Sequence, residues 1–467
     1  MAPTIESEYE GTALVADPIH RYIQITVPQK KGEVTEKDII DSPWVQRLRY
    51  IYQLQSARWV YPSAEHSRFQ HSLGAMHLAG EFAKHLYPSL RRVLDKDCPS
   101  APLVEEYMRI TGLLHDVGHG PFGHFFDDNF LADFKITHED ISQAIIQEQL
   151  GGLISHLRRS PSGPFAPGEE LRPEDVAFPI KKTGKDDHRK PKWVRLLQPL
   201  TSGIFTFDNL DYVSRDSYMC GVAVGPIDRE RLIHYTFFSP KGLTLHKAGN
   251  SALTMFLNAR LYLYTNVYYH RTTRAIDLHL RELFPDTMRL IFPGNPLEHM
   301  EDYLRLTDWS LLEEVSRWRH SRGENESLAR EWQKILRRDI KWKMAYDRTL
   351  SLNELRYGVS LIQDTDWEKR IRSALAPPER DLVFRVDMAI QDPRPENPFS
   401  MGKKQIYIFD PSTEEITKGS LSELFEFIPS TVVQFRVYAL DHDHDRLLAE
   451  VAEATLKGGS PAVKTSV

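Results

Sequence analysis

The stretch His115-Asp116-Val117-Gly118-His119-Gly120-Pro121-Phe122-Gly123-His124-Phe125-Phe126-Asp127 decides the reading of this chain. Three histidines and two aspartates fall within it, between glycines that let the backbone turn sharply and approach a ligand. Burying an imidazole beside a carboxylate is costly unless a metal or a hydrogen-bond partner compensates, so the adjacent His115 and Asp116 point to chemistry. His77 and His85, each alone on an apolar helix face, read as satisfied core histidines.

Working outward, a helix is expected from about Arg68 to Leu86, with His71, Ala75, Leu78 and Phe82 on one stripe. Another is expected from about Leu103 to Val117. His71, the His115-Asp116 pair and a later aspartate make a set of neutral imidazoles and carboxylates suited to a divalent transition metal. Candidates for that aspartate lie in Phe205 to Asp216, where Asp208, Tyr212, Arg215 and Asp216 share a helical face. Downstream, Arg260, Tyr264, Tyr268 and Arg271 recur at helical spacing along a helix expected over Ser251–Arg274, whereas Tyr262 and Tyr269 read as core.

The remaining pattern is mainly helical. Tyr22 to Val27 alternates as a strand or hairpin, and Asp41-Ser42-Pro43 offers an N-cap candidate and a first-turn proline. Residues 138–150 form an amphipathic helix closed by Gly151-Gly152, and residues 157–192, rich in proline and glycine with a basic run from Lys181 to Lys190, read as a mobile insertion. After Pro377-Pro378 the texture changes to strands at Leu382–Met388, Gln405–Phe409 and Val432–Tyr438, with a helix near Leu421–Phe427. The expected architecture is therefore a mainly α chain with a helical body over 1–379, a small α+β lobe over 380–456 and a frayed tail at 457–467.

Composition sets limits on function. With 59 Lys and Arg against 65 Asp and Glu, the net charge of −6 provides no general attraction to a phosphate backbone. Cys98 and Cys220 lack any paired spacing and read as free thiols of a reducing compartment. Without a signal peptide or a long apolar run, the chain is expected to be cytoplasmic and without a membrane partner.

The ordered blocks resemble the HD-domain metal-dependent phosphohydrolases, whose signature is a His, then His-Asp, then a distant Asp. More closely, His66 to Gly74, His115 to Asp127, His138-Glu139 and Asp208 to Asp216 look like the deoxynucleoside triphosphate triphosphohydrolases, over about residues 14–280. The resemblance implies an HD-domain helical core and a divalent metal (Fe, Mn, Mg or Zn) held by His71, His115, Asp116 and Asp208. It implies catalytic roles for His119, His124, Asp127, His138 and Glu139, with His124 supplying a proton to the leaving 5′-oxygen. Arg68 would contact phosphate, Arg260 and Arg271 would hold the polyphosphate with Tyr264 on the same helix face, and Tyr212 would lie near the phosphates. Gln53 and Leu54 would lie against the sugar, Asp216 would take the 3′-hydroxyl, and Tyr268 would occupy the space of a 2′-hydroxyl.

Asp41, Gln46 and Arg49 match positions that in relatives bind an activating guanine nucleotide or dNTP between subunits, implying a homo-oligomer, dimer or tetramer. Two departures stand out: Asn209 where many relatives place a lysine, and Ala16 where activatable relatives place an asparagine. The reaction implied is hydrolysis of a dNTP to deoxynucleoside and inorganic triphosphate. The alternatives are an HD nucleotidase acting on another phosphorylated nucleotide, or a nucleotide- or nucleic-acid-binding regulator with a structural metal. The acidic balance argues against the regulator, and nucleic acid is not indicated beyond local contacts at the basic insertion.

Overall fold

The computed structural model describes residues 10–181, 188–320, 325–351, 364–391, 406–417 and 432–457. The expected helix at Leu421–Phe427, part of the basic run and nearly all of the C-terminal tail lie outside these residues.

Strands β1 (Thr12–Asp17) and β2 (Arg21–Thr26) form an antiparallel hairpin. Helix α1 (Pro43–Arg47) follows; its cap is Ser42, whose hydroxyl accepts from the Val45 N–H. The body is centred on two packed helices, α2 (Arg68–Leu94) and α3 (Ala101–Leu114). A reciprocal Ser67/Gln70 capping box starts α2, which runs beyond Leu86 and through Pro88. Short helices α4 (His124–Asn129) and α5 (His138–Ala144) come next. The Gly151-Gly152 pair does not end the helical run: α5 passes through a π turn at Ile145–Gln149 into a further helical segment at Gly151–His156.

Residues 157–181, expected as a mobile insertion, pack against the body. Leu157, Leu171 and Val176 are buried, and the Ser160 hydroxyl donates to Glu105 at 2.6 Å. Helix α6 (Phe207–Cys220) opens with a Thr206/Asn209 capping box and lies across α2. The expected helix at Ser251–Arg274 is two helices, α7 (Asn250–Leu263) and α8 (Arg271–Ile291), separated by a π turn at Tyr264–Tyr268 and capped afresh by His270. Helix α9 (Asp308–Arg317) lies further along.

Strands β3 (Thr236–Ser239) and β4 (Gly242–His246) form a hairpin in the body. Strands β5 (Lys343–Ser351), β6 (Phe384–Gln391) and β9 (Val432–Ala439) form an antiparallel sheet with β9 in the middle, flanked by α10 (Asp364–Ala374) and α11 (Asp445–Leu456). Its core of Trp367, Ile371, Val386, Val433, Phe435 and Leu448 is separate from that of the body. All three strands expected after residue 380 are present, but they divide between two sheets. The strand β7 (Tyr407–Asp410), with β8 (Glu415–Thr417), extends the β3–β4 hairpin instead, and β5, from before residue 380, completes the C-terminal sheet. The reason is that β9 is buried on both faces and needs a partner on each edge. Among the described residues no helix is long and apolar enough to cross a membrane.

Candidate active site

Four side chains from three helices converge. His71 comes from the first turn of α2, His115 and Asp116 from the end of α3, and Asp208 from the first turn of α6. His71 Nε2 lies 3.3 Å from His115 Nε2, 3.2 Å from Asp208 and 3.8 Å from Asp116, and His115 Nε2 lies 3.4 and 3.6 Å from the two carboxylates. Such spacing suits donor atoms around one ion.

The outer nitrogens fix the tautomers. His115 Nδ1 is 2.8 Å from the Gly112 carbonyl, which only accepts, so Nδ1 carries the hydrogen and the Nε2 lone pair faces the centre. His71 Nδ1 bonds Asp211 at 2.8 Å. Burial opposes charge on His71, yet Asp208 and Asp211 beside it raise its imidazole to about 10. Their field favours a cation at this spot, whether proton or metal. The donor set thus fits a divalent ion.

Asp211 is a residue the sequence reading missed. It also bonds His20 Nε2 at 2.6 Å and Arg215, which reaches on to Asp17. Gly74, one turn beyond His71, makes this possible: a Cβ there would stand 1.9 Å from an Asp211 oxygen and 2.3 Å from Arg215 Nη2. Arg215 is therefore buried behind the site and does not share the cavity face with Asp208. Asp211 lies three residues after Asp208, facing the small residue on α2, and that pairing was its signal.

Arg68 donates to Asp116 at 2.5 Å. Gly123, at φ 54, gives it room, since a Cβ there would meet Arg68 Nη2 at 2.4 Å. Next to this set, the His119 and His138 rings stack at 3.6 Å with 13° between planes. Asp127 accepts from His138 at 2.5 Å and lies 3.3 Å from His124 Nδ1. The donor atoms of His119, His124, Asp127 and His138 all lie within 4.8 Å of one another. Stacked rings send their lone pairs along parallel planes instead of toward one point, so this group suits proton transfer better than a second ion. Burial, and then the charge of Arg68, hold His119 well below the usual histidine range, whereas Asp127 is held below the carboxylate range by its histidine partners despite burial.

A cavity of about 760 Å³ joins these groups to the π turn. Gln53, Leu54, Arg68, His115, Asp116, His124, His138, Glu139, Asp208, Tyr212, Asp216, Arg260, Tyr264 and Tyr268 all line it. At the far end Asp216 is held from two sides, by His66 Nε2 at 2.8 Å and the Tyr268 hydroxyl at 2.6 Å. Arg260 Nε donates to the Tyr212 hydroxyl at 3.0 Å. Tyr269, read as core from the sequence, lines the cavity as well.

Arg271 does not reach the cavity. The break at His270 shifts the helical phase, leaving Arg271 exposed and placing Thr273, Arg274, Asp277 and Arg281 along the wall instead. Asn209 is spent on the helix cap, its Oδ1 accepting from Thr206 N–H at 2.7 Å. His77 is half-buried against the His20 ring, and His85 is exposed and bonded to the Thr236 carbonyl, so neither is a core histidine. Asp41, Gln46 and Arg49 lie apart from the cavity: Asp41 pairs with Lys37 at 2.5 Å, and Arg49 bonds Gln46 at 2.7 Å over the Phe69 ring.

Comparison with known proteins agrees with this geometry. Residues 68–182 match the HD domain and residues 227–374 the HD associated region. The chain is 29% identical over 321 residues to the uncharacterized protein YwfO of Bacillus subtilis, covering 65% of each chain. It is 26% identical over 367 residues to the deoxynucleoside triphosphate triphosphohydrolase SAMHD1 homolog of Dictyostelium discoideum, covering 77% of this chain and 65% of that one. The match thus spans just under two thirds of these relatives. The fold is shared with a crystal structure of a hypothetical protein from Aquifex aeolicus, at TM-score 0.67 and 24% identity over 95% of this chain and 100% of that one. The His71, His115 and Asp116 donors fall inside the matched HD domain and Asp208 on α6 beyond it, so the chain carries an HD domain followed by an HD associated region and is similar to deoxynucleoside triphosphate triphosphohydrolases.

Proposed function

We propose that the protein hydrolyses a deoxynucleoside triphosphate to the deoxynucleoside and inorganic triphosphate. The observation that carries this reading is the cavity running from the His115, Asp116 and Asp208 donors, with His71 buried beside them, to the Asp216–Tyr268 pair. His71, His115, Asp116 and Asp208 would hold a divalent ion, which when bound would supply Lewis acidity to the reaction. Arg68 and Arg260 neutralise charge that grows on the polyphosphate. His124, oriented by Asp127, donates a proton to the departing 5′-oxygen, with His119, His138 and Glu139 completing the relay. Gln53 and Leu54 lie against the sugar, and Asp216 accepts from the 3′-hydroxyl. Tyr268 fills the space a ribose 2′-hydroxyl needs, while Tyr212 and Tyr264 hold Arg260 in place.

Asp41, Gln46 and Arg49 form the second nucleotide contact of this reading. A guanine nucleotide or dNTP bound there would favour an assembled homo-oligomer and couple activity to its concentration. One observation favours a narrower alternative: Asn209 places an amide where a further cation would strengthen triphosphate binding, so a substrate with fewer phosphates is the second reading.

Metal-analysed protein incubated with dNTPs, NTPs and monophosphates, with the products separated by chromatography, tests both. Release of intact triphosphate from dNTPs is expected. Stepwise loss of phosphate, or turnover of monophosphates alone, would overturn the leading reading in favour of the second.

A further inference from the structure

The π turn at Tyr264–Tyr268 raises the question of what holds it. Such turns are rare and cluster at functional sites. Here the Tyr269 N–H reaches back five residues to the Tyr264 carbonyl at 2.9 Å. An α-helix would send it to Thr265, so the Thr265 carbonyl is left without its helical donor, and the break at His270 opens the Tyr269 carbonyl as well. Orphan carbonyls within a packed segment need donors from elsewhere.

Those donors come from the C-terminal sheet. Along β9 the side chains alternate: Val433, Phe435 and Val437 enter the lobe core, whereas Gln434, Arg436 and Tyr438 face the body yet are only 8, 4 and 0% exposed. Gln434 Nε2 donates to the Thr265 carbonyl at 3.1 Å, Arg436 Nη1 to the Tyr269 carbonyl at 2.5 Å, and the Tyr438 hydroxyl to the Arg271 carbonyl at 2.8 Å. The remaining Arg436 donors are fixed by Asp347 at 2.9 Å and Gln434 at 2.8 Å. Asp387, opposite Arg436 on β6, takes Arg274 through three contacts of 2.5 to 3.1 Å. Tyr269 is pinned once more, its hydroxyl donating to the Ile390 carbonyl at 2.9 Å. The Gln434 and Arg436 bonds go to the backbone of the segment that presents Tyr264, Tyr268 and Tyr269 to the cavity, and the Tyr438 bond to the first residue of the helix that follows it.

We propose that Gln434, Arg436 and Tyr438 are positioning residues for the substrate cavity, and that the C-terminal sheet holds the π turn in the shape that sets Tyr268 on Asp216 and thereby tunes discrimination at the sugar. This rests on the reading of Tyr268 as the wall beside the 2′ carbon. A lobe that only added stability would have no reason to supply separate donors to the two carbonyls, of Thr265 and Tyr269, that the turn and the break at His270 release.

The test uses the full chain with Arg436→Met, Arg436→Lys and Tyr438→Phe, reading amide exchange over residues 264–272 alongside KM, kcat and the dNTP to NTP ratio. Arg436→Met should speed exchange over 264–272 by about tenfold, the scale of a lost charged hydrogen bond, with α6 unchanged. KM should rise by about fivefold with kcat within about twofold, and the dNTP to NTP ratio should fall in parallel. Arg436→Lys, able to keep the bond to the Tyr269 carbonyl, should recover part of both effects. Tyr438→Phe should show a smaller version.

Parental exchange over 264–272 in folded Arg436→Met would overturn the proposal, as would faster exchange with unaltered KM and ratio. Should Arg436→Met not fold, Tyr438→Phe and Gln434→Met each remove one donor at nearly constant volume and carry the same readouts. If the parent hydrolyses no dNTP, the substrate reading fails by itself; exchange and KM for the nucleotide it does hydrolyse then decide this inference.

Discussion

The two ends of the cavity are built in opposite ways. At the metal-competent end each donor sits on a regular helix or its terminus, and three of the four are held by a partner outside the set: Asp211 for His71, the Gly112 carbonyl for His115, Arg68 for Asp116. At the sugar end the wall is an irregular turn whose carbonyls are satisfied by residues 167 and 169 positions later in the chain. The first construction fixes atoms through local, capped elements; the second makes geometry depend on a separate sheet. Chemistry is therefore expected to be intolerant of change at the first end, and selectivity adjustable at the second.

The largest break in this contrast should come from replacing His115 and Asp116 together with Ala. Metal retention should be lost and turnover should fall by about a thousandfold or more, while far-UV circular dichroism stays that of the parent, because the core of α2 and α3 does not depend on the site. A full metal content by elemental analysis, with normal hydrolysis, would remove the donor assignment.

Asp308 braces the same end. Its carboxylate accepts from the backbone N–H of Tyr52 and of Phe122, both at 3.0 Å, tying α9 to the loop before His124. Burial raises it to about 6 from an ordinary 3.8, in spite of those bonds. A raised folded value means that the native state holds the proton more tightly than the unfolded chain. This group's contribution is fully present below about pH 4 and is lost as pH rises through about 6, a change of about 3 kcal/mol. Urea unfolding of the parent and of Asp308→Asn from pH 4 to 7 should differ by that slope. Parallel curves would show that Asp308 does not titrate in this way.

Asp211→Asn should sharpen the picture. It keeps the volume between Gly74 and α6 but takes charge away from His71, His20 and Arg215 together. Metal affinity should fall by about 10- to 100-fold while sugar discrimination at saturating metal stays unchanged. Competition with a chelator measures the first and paired NTP and dNTP assays the second. A shift in discrimination would mean that the two ends are not separately built.

The same contrast explains what could be read from sequence. His71 and the His115-Asp116 pair sit in short ordered blocks on amphipathic helices, where residue type and spacing point to a metal set, whereas Asp208 is singled out among the aspartates of 205–216 by the resemblance to the HD-domain phosphohydrolases. Arg271 was placed on the cavity face because a continuous helix over Ser251–Arg274 puts it in phase with Arg260 and Tyr264. The π turn breaks that phase, and nothing within the segment announces it, since the donors that pay for it are Gln434 and Arg436. Asp211 was missed for a related reason: besides the local Arg215 four residues on, its partners His20 and His71 come from two other parts of the chain, and only the small residue at Gly74 hints at the fit. The lobe boundary was blurred because β5 is a polar-rich strand recruited by β9 across the sheet.

The smallest effect is expected at Tyr268, where two explanations of discrimination can be separated. If the ring closes the space beside the 2′ carbon, Tyr268→Ala should narrow the preference for dNTPs over NTPs by about tenfold, within the range that one apolar contact supplies. Affinity should also drop, because the ring packs on the sugar. Tyr268→Phe keeps the ring and removes only the hydroxyl that holds Asp216 at 2.6 Å. His66 still holds the other Asp216 oxygen at 2.8 Å, so the carboxylate should stay in place for the 3′-hydroxyl. Steric exclusion thus requires Tyr268→Phe to keep the parental ratio while Tyr268→Ala loses it. Equal loss in both variants would assign selectivity to the hydroxyl, through the position of Asp216, and an unchanged ratio in Tyr268→Ala would take the residue out of sugar recognition altogether.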